Sequence, residues 1–190
     1  GVPIFPNFEE RIAGARLSLD IDQFDRMHFA TRGWAANLSY FESPLDSYGK
    51  ASVDLRGAYA VGATVLTGRV AYVAATRGEL PLFDAGSLGG FQNMTAFAYN
   101  QLLGDEVRYA GLRAERIVGR LPLGLRGDMR LGVSFEAARI GRPYTERTAD
   151  GLLDSTAVYF GGETPFGPIY FGYGRSTSGA SNLFLSVGTR

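Results

Sequence analysis

Apolar and polar residues alternate one by one along most of this chain, and a period of two is the signature of β-strands with two unlike faces. Arg16 to Ile21 reads R-L-S-L-D-I, so Leu17, Leu19 and Ile21 share one face while Arg16, Ser18 and Asp20 share the other. The same reading sets Trp34, Leu38 and Tyr40 against Ala35, Asn37 and Ser39, and Leu66, Val70 and Tyr72 against Thr67, Arg69 and Ala71. It recurs in Met129, Leu131, Val133 and Phe135 against Arg130, Gly132 and Ser134. The pattern predicts about ten strands (8–12), near residues 11–22, 33–43, 49–61, 63–76, 80–88, 105–117, 127–140, 153–163, 167–175 and 182–190. These are longer than the five or six residues usual in soluble sheets. They match the roughly 9–11 residues that a tilted strand needs to cross a bilayer. Connections such as 60–63, 121–127 and 165–168 are short, whereas 89–104 is long, which suits a barrel with short turns on one rim and longer loops on the other.

Composition narrows the class. Nineteen Lys plus Arg balance nineteen Asp plus Glu, which argues against a nucleic-acid partner. There is no cysteine, so disulfide frameworks and thiolate metal sites are excluded. The 26 glycines are about twice ordinary usage. No apolar run is long enough for a transmembrane helix, and Gly1–Pro6 shows no leader pattern, so any leader is expected upstream.

The two faces differ in kind. One carries Leu, Val, Ala, Gly, Met and aromatics; the other carries Asp54, Arg56, Arg69, Arg113, Glu115, Arg130 and Glu136. Lys50 is the single lysine, whereas a water-facing sheet normally favours Lys, Glu and Thr. Arginines facing carboxylates suit an enclosed lumen, and Arg113, Glu115, Arg130 and Glu136 are expected to form lumen ion pairs. The small residues of the apolar face pack a protein core poorly, while lipid fills such gaps. Trp34, Tyr40, Phe41, Tyr48, Tyr59, Tyr72, Tyr159, Phe160, Phe166 and Tyr173 fall near strand ends, as interfacial aromatics do. The expected fold is all-β, a transmembrane antiparallel up-and-down barrel occupying 1–190 as one domain. A soluble all-β protein is the competing reading.

Three segments carry a family resemblance. Asp20–Gly33, D-I-D-Q-F-D-R-M-H-F-A-T-R-G, resembles the D-x-x-D-x-x-F-P-x-x-G segment of the outer-membrane assembly and two-partner-secretion barrels, with Ala30 in place of the proline. Leu82–Gly90, L-F-D-A-G-S-L-G-G, resembles the F-x-x-G-G strand end before that superfamily's inward loop. Gly161–Gly174, G-G-E-T-P-F-G-P-I-Y-F-G-Y-G, resembles its last hairpin. Within the superfamily, Leu88–Asp105 and Thr164–Gly174 are similar to stretches of the C-terminal barrel of bacterial patatin-like phospholipases, a patatin-type (type V) autotransporter.

The resemblance implies a Gram-negative outer-membrane barrel that anchors, and helps translocate, an upstream patatin-like phospholipase passenger. The chain would supply the C-terminal ten strands of a sixteen-strand family barrel, without the passenger and periplasmic domains. Ten is even, so this piece is expected to be able to close by itself. Outer-membrane proteins of this kind usually end in an aromatic, so one or two residues are expected beyond Arg190. Implied partners are outer-membrane lipid and lipopolysaccharide, the passenger itself, the outer-membrane assembly machinery and a second copy in a homo-oligomer. A stand-alone pore or structural barrel is the alternative, an outer-membrane enzyme the third reading and a soluble ligand-binding barrel the fourth.

The long loop is the best candidate for function. Gly89 and Gly90 permit a sharp entry, and Phe91, Thr95, Phe97 and Tyr99 make the loop apolar enough to fold inward as a plug or gate; a surface loop is the other reading. The family's loop tip carries Arg-Gly-Phe or Ser-Gly-Tyr where this chain has Thr95, Ala96 and Phe97, so the family's loop-to-wall salt bridge is not implied. No catalytic, metal or cofactor site is expected. The nearest string to a nucleophile elbow, Gly174–Gly179 (G-R-S-T-S-G), lacks the second glycine in place and reads as a hairpin loop. His28, the sole histidine, reads as a turn residue, and Asp20, Asp22 and Asp25 lack calcium-loop spacing.

Overall fold

The computed structural model describes residues 13–45, 47–120, 128–145, 151–164 and 167–188. They form one antiparallel sheet in meander order: β1 (Ala15–Asp22), β2 (Arg32–Ser43), β3 (Tyr48–Val61), β4 (Thr64–Arg77), β5 (Gly86–Leu88), β6 (Leu102–Arg120), β7 (Asp128–Pro143), β8 (Leu152–Thr164), β9 (Gly167–Arg175) and β10 (Ser181–Val187). The expected connection 121–127, residues 165 and 166 of the 165–168 turn, Phe166, and the outermost residues of the first and last expected strands lie outside the described residues.

One expected strand is corrected. Residues 80–88 do not make a full strand: Leu82–Asp84 is a 3-10 turn and only Gly86–Leu88 pairs, against β6. Pro81 cannot donate to a ladder, and the chain turns immediately after it. The other nine strands are neighbours in sequence and in the sheet, with β4 pairing directly to β6. The segment Gly161–Gly174 is likewise not the last hairpin. It builds the β8–β9 hairpin, and β10 follows.

Among the described residues the long strands number nine. Successive antiparallel neighbours reverse direction, so β1 and β10 run the same way, and no ladder joins them among the described residues. Edge-to-edge closure of this sheet would therefore pair β1 with β10 in parallel. Among the described residues the long strands are odd in number, so the even count behind the expected closure is not met there. The rims are also less unequal than expected. Among the connections whose residues are all described, one carries the two-residue β3–β4 turn but also the nine-residue turn 23–31; the other carries 176–180 and the long connection 78–101.

The burial pattern is inside out for a protein in water. On the convex face Leu112, Phe135 and Leu185 are 68%, 62% and 68% exposed. On the concave face Glu115, Arg130, Ser134, Glu136 and Ser155 are buried. Both follow from the alternation, since Leu112 and Arg113, or Phe135 and Glu136, are adjacent residues pointing to opposite faces. Trp34, Tyr40, Tyr59, Phe160 and Tyr173 lie exposed on the outside. Tyr159 and Tyr48 depart from the expected aromatic girdle: both are buried, and Tyr159 points to the concave side, where its hydroxyl meets Glu115.

Candidate functional site

The long connection folds onto the concave face. Its entry depends on Gly89, whose φ is +121° and where a Cβ would sit 1.9 Å from the carbonyl oxygen of Ala98. Gly90 follows with φ +93°. The Gly89 N–H donates to Asn93 O (2.6 Å) and the Gly90 N–H to Phe97 O (2.9 Å), closing the loop on itself. Phe91, Met94, Thr95, Ala96 and Phe97 are buried, while Tyr99 is 73% exposed. Of the expected loop residues Gly89, Gly90, Phe91, Thr95, Phe97 and Tyr99, all but Tyr99 are therefore seated against the wall.

The wall holds the loop mostly by its backbone. Glu136 of β7 accepts from the Met94 N–H at 3.2 Å and the Thr95 N–H at 2.7 Å. The same carboxylate accepts from Tyr109 of β6 (2.9 Å) and Ser155 of β8 (2.8 Å). Ser155 Oγ in turn accepts from the Ala96 N–H at 2.9 Å. Arg69 of β4 donates to Gln92 O at 2.9 Å while its other nitrogens bind Asp54. Asn182 of β10 donates to Thr95 O at 3.2 Å. At β9, a Cβ on Gly174 would lie 2.8 Å from the carbonyl of Thr95, so only glycine lets the loop lie this close. The loop thus touches six strands in succession, β4 and β6 to β10. Hydrogen bonds to a charged carboxylate are the stronger kind, about 1.5–3 kcal/mol each.

The expected lumen ion pairs split into two groups. Arg113 and Arg130 both approach Glu115 at 3.6 Å, and Tyr159 donates to Glu115 at 2.8 Å. Arg130 also lies over the Phe29 ring, 4.6 Å from its centroid. Glu136 is not in this group. Its partners are the loop and wall donors above, because the loop backbone reaches it first.

Several residues of the site were not expected to hold the loop, although Arg69 was expected on the polar face. Arg69, Tyr109, Ser155 and Asn182 sit on the polar face that alternation assigns, but their contacts come from a loop distant in sequence. Phe91 stacks on Phe184 (4.7 Å) and packs against Tyr159 (4.9 Å) and Tyr170 (4.7 Å). At the loop rim, buried Asp105 accepts from the Leu80 N–H at 2.8 Å and from the Tyr144 hydroxyl, tying residues before β5 to the end of β7. Burial and the neighbouring Asp105 charge raise the Tyr144 hydroxyl above its ordinary pKa.

The remaining candidates take structural positions. Asp20 accepts from the Asn37 amide and Asp22 from the Phe24 N–H (2.9 Å). Asp25 accepts from the Thr31 hydroxyl (2.5 Å), the Thr31 N–H (2.8 Å) and the Arg32 N–H (3.1 Å). His28 lies in that same turn, 23–31, beside Phe29. The Gly174–Gly179 string runs from the end of β9 into the β9–β10 turn, where Asp154 accepts from the Thr177 N–H at 3.1 Å.

Asp25 gives a pH prediction. The Thr31 hydroxyl first, then the Arg32 N–H, hold its carboxyl down to about 2, against 3.8 ordinarily. A depressed carboxyl stabilises the folded turn fully above the ordinary value, and that contribution is lost as pH falls through the folded one. Hydrogen exchange of residues 23–31 is therefore expected to gain extra acceleration, beyond the intrinsic pH dependence, only between about pH 4 and pH 2. In Asp25→Asn that increment should be absent; its persistence would assign it to another group.

No known family model matches the chain, and no curated protein does. Among solved structures, the chain is similar to the crystal structure of BamA from Haemophilus ducreyi lacking POTRA domains 1–3, with a TM-score of 0.74 and 15% identity. The match covers 90% of this chain and 40% of that one, so the chain spans less than half of its length. At this identity what is shared is the fold, a curved antiparallel wall of barrel type.

Proposed function

We propose that this chain is a membrane-embedded barrel wall of a Gram-negative outer-membrane protein, sealed from within by its own loop. One observation carries the reading: the exposed convex face is apolar and the buried concave face is charged. A continuous band of Leu, Val, Phe and Tyr in water is a large penalty and an aggregation hazard, whereas in lipid it is the ordinary outer surface of a barrel. The register supports this further. Gly57 pairs with Gly68, leaving a shallow outer groove of about 620 Å³ rimmed by Trp34, Leu55, Val70, Leu112 and Phe135. A lipid chain fills such a groove with no directional bond required.

The role within that reading is anchoring. The loop is held by side chains of several strands, which suits a seated stop better than a freely swinging gate. An upstream patatin-like phospholipase as the anchored and exported passenger rests on the sequence resemblance of Leu88–Asp105 and Thr164–Gly174. Lipid, lipopolysaccharide, the outer-membrane assembly machinery and a second copy of the chain are the partners this role brings, and we assign no catalysis or cofactor to the chain. A stand-alone structural barrel is the second reading, favoured by the same seated loop.

Trp34 is the only tryptophan and lies on the convex face. Its fluorescence is expected to be strongly quenched by lipids brominated along the acyl chain, and only weakly by aqueous iodide. Iodide quenching equal to that of free tryptophan would exclude the membrane reading. The export role is tested separately, by whether a lipase passenger joined upstream reaches the cell surface only when the barrel is present.

A further inference from the structure

The turn between β1 and β2 has no part in the loop site, yet it reaches across the concave side. Phe29 meets Tyr170 of β9 at 5.4 Å between ring centroids, although the two are far apart in sequence. Arg130 of β7 covers the same ring at 4.6 Å, and Phe29 also stands 3.5 Å from where a Cβ on Gly161 of β8 would be. Phe29 itself holds φ +49°, a conformation uncommon for a side chain of its size. The turn is built to hold it there. Asp25 caps its far end, the Gln23 N–H donates to Trp34 O, and the Asp25 N–H donates to Arg32 O. Strain at one residue persists only where its surroundings over-determine it.

Tyr170 is the meeting point. Phe91 of the inward loop packs on it at 4.7 Å and Phe29 of the turn at 5.4 Å. The loop comes from one rim and the turn from the opposite rim, so one ring is shared by both inward segments. Aromatic pairs contribute beyond their buried area, and a guanidinium over a ring adds to that.

We infer that the 23–31 turn is a second inward stop, coupled to the loop through Tyr170, so that the two ends of the concave space are closed together. Loosening the turn then loosens the loop, with no direct contact needed between them. Because no ladder joins β1 and β10 among the described residues, the same contact also fastens the first hairpin to β7–β9 across the concave side.

The coupling is readable in detergent as well as in bilayers, so it stands or falls apart from the membrane reading. Amide hydrogen exchange of Met94, Thr95 and Ala96 is measured in the full chain and in Phe29→Ala. Exchange at these three loop amides is expected to be at least about tenfold faster in the variant, from the loss of one aromatic pair and one cation–π contact. Phe29→Leu keeps the apolar bulk and is expected to show a smaller acceleration in the same amides, which keeps the test valid where the alanine variant does not fold. Acceleration confined to residues 23–31, with the loop amides unchanged in the variants that fold, would overturn the inference and leave the turn a local cap.

Discussion

Glu136→Ala is expected to unseat the inward loop and to lower unfolding stability by about 2–6 kcal/mol, the cost of leaving two buried N–H groups without an acceptor. The geometry explains why one side chain carries so much. Each carboxylate oxygen serves two donors: Oε1 takes the Met94 N–H and the Tyr109 hydroxyl, and Oε2 takes the Thr95 N–H and the Ser155 hydroxyl. Glutamine offers one acceptor oxygen and sets an NH2 against the other two donors, so Glu136→Gln should keep only part of the effect. Aspartate is one methylene too short to reach both amides. The measurement is denaturant unfolding in detergent, together with conductance in planar bilayers. The parent is expected to be nearly silent and Glu136→Ala to show frequent openings. Equal midpoints and equal silence in parent and variant would reject the loop-holding role of Glu136.

Glu115→Ala is the second large effect. It leaves Arg113 and Arg130 as neighbouring cations on the concave face without their shared carboxylate, and it takes the acceptor from the buried Tyr159 hydroxyl. Breaking a buried pair by removing one partner costs about 3–5 kcal/mol. Removing a cation instead should cost less. Neither ion contact is a close hydrogen bond, so Arg130→Met leaves Glu115 with Arg113 and Tyr159 still at hand. The double variant Glu115→Ala, Arg130→Met is therefore expected to be less damaged than the two single losses added together. Simple additivity in unfolding experiments would show that Glu115 and Arg130 do not interact.

The sequence made the sheet legible and left the contacts dark, for a physical reason. Alternation is a local property: Leu112 beside Arg113 and Phe135 beside Glu136 already assign both to opposite faces. It also marked the loop, because Gly89 and Gly90 precede a stretch too irregular for a strand. It could not separate 80–88 from a true strand, since Leu80, Leu82 and Leu88 alternate well enough while Pro81 decides the outcome. Partner choice is non-local. Nothing near Glu136 in the chain tells that its donors are Met94 and Thr95 rather than Arg130, and the backbone N–H groups that bind it leave no signature in residue type. Phe29 was legible only as a motif position. Its use depends on Tyr170, which the curvature of the whole sheet brings near.

The odd number of long strands among the described residues has a consequence for sidedness. A chain that crosses a layer an odd number of times starts and finishes on different sides of it. Ala15 begins β1 on the rim that bears the long loop, and Val187 ends β10 on the other rim. In a bilayer, a tag placed just before β1 and one placed just after β10 would answer to reagents added from opposite compartments. Any cargo joined directly ahead of β1 would emerge on the loop side, and each further strand inserted between cargo and β1 would move it to the other.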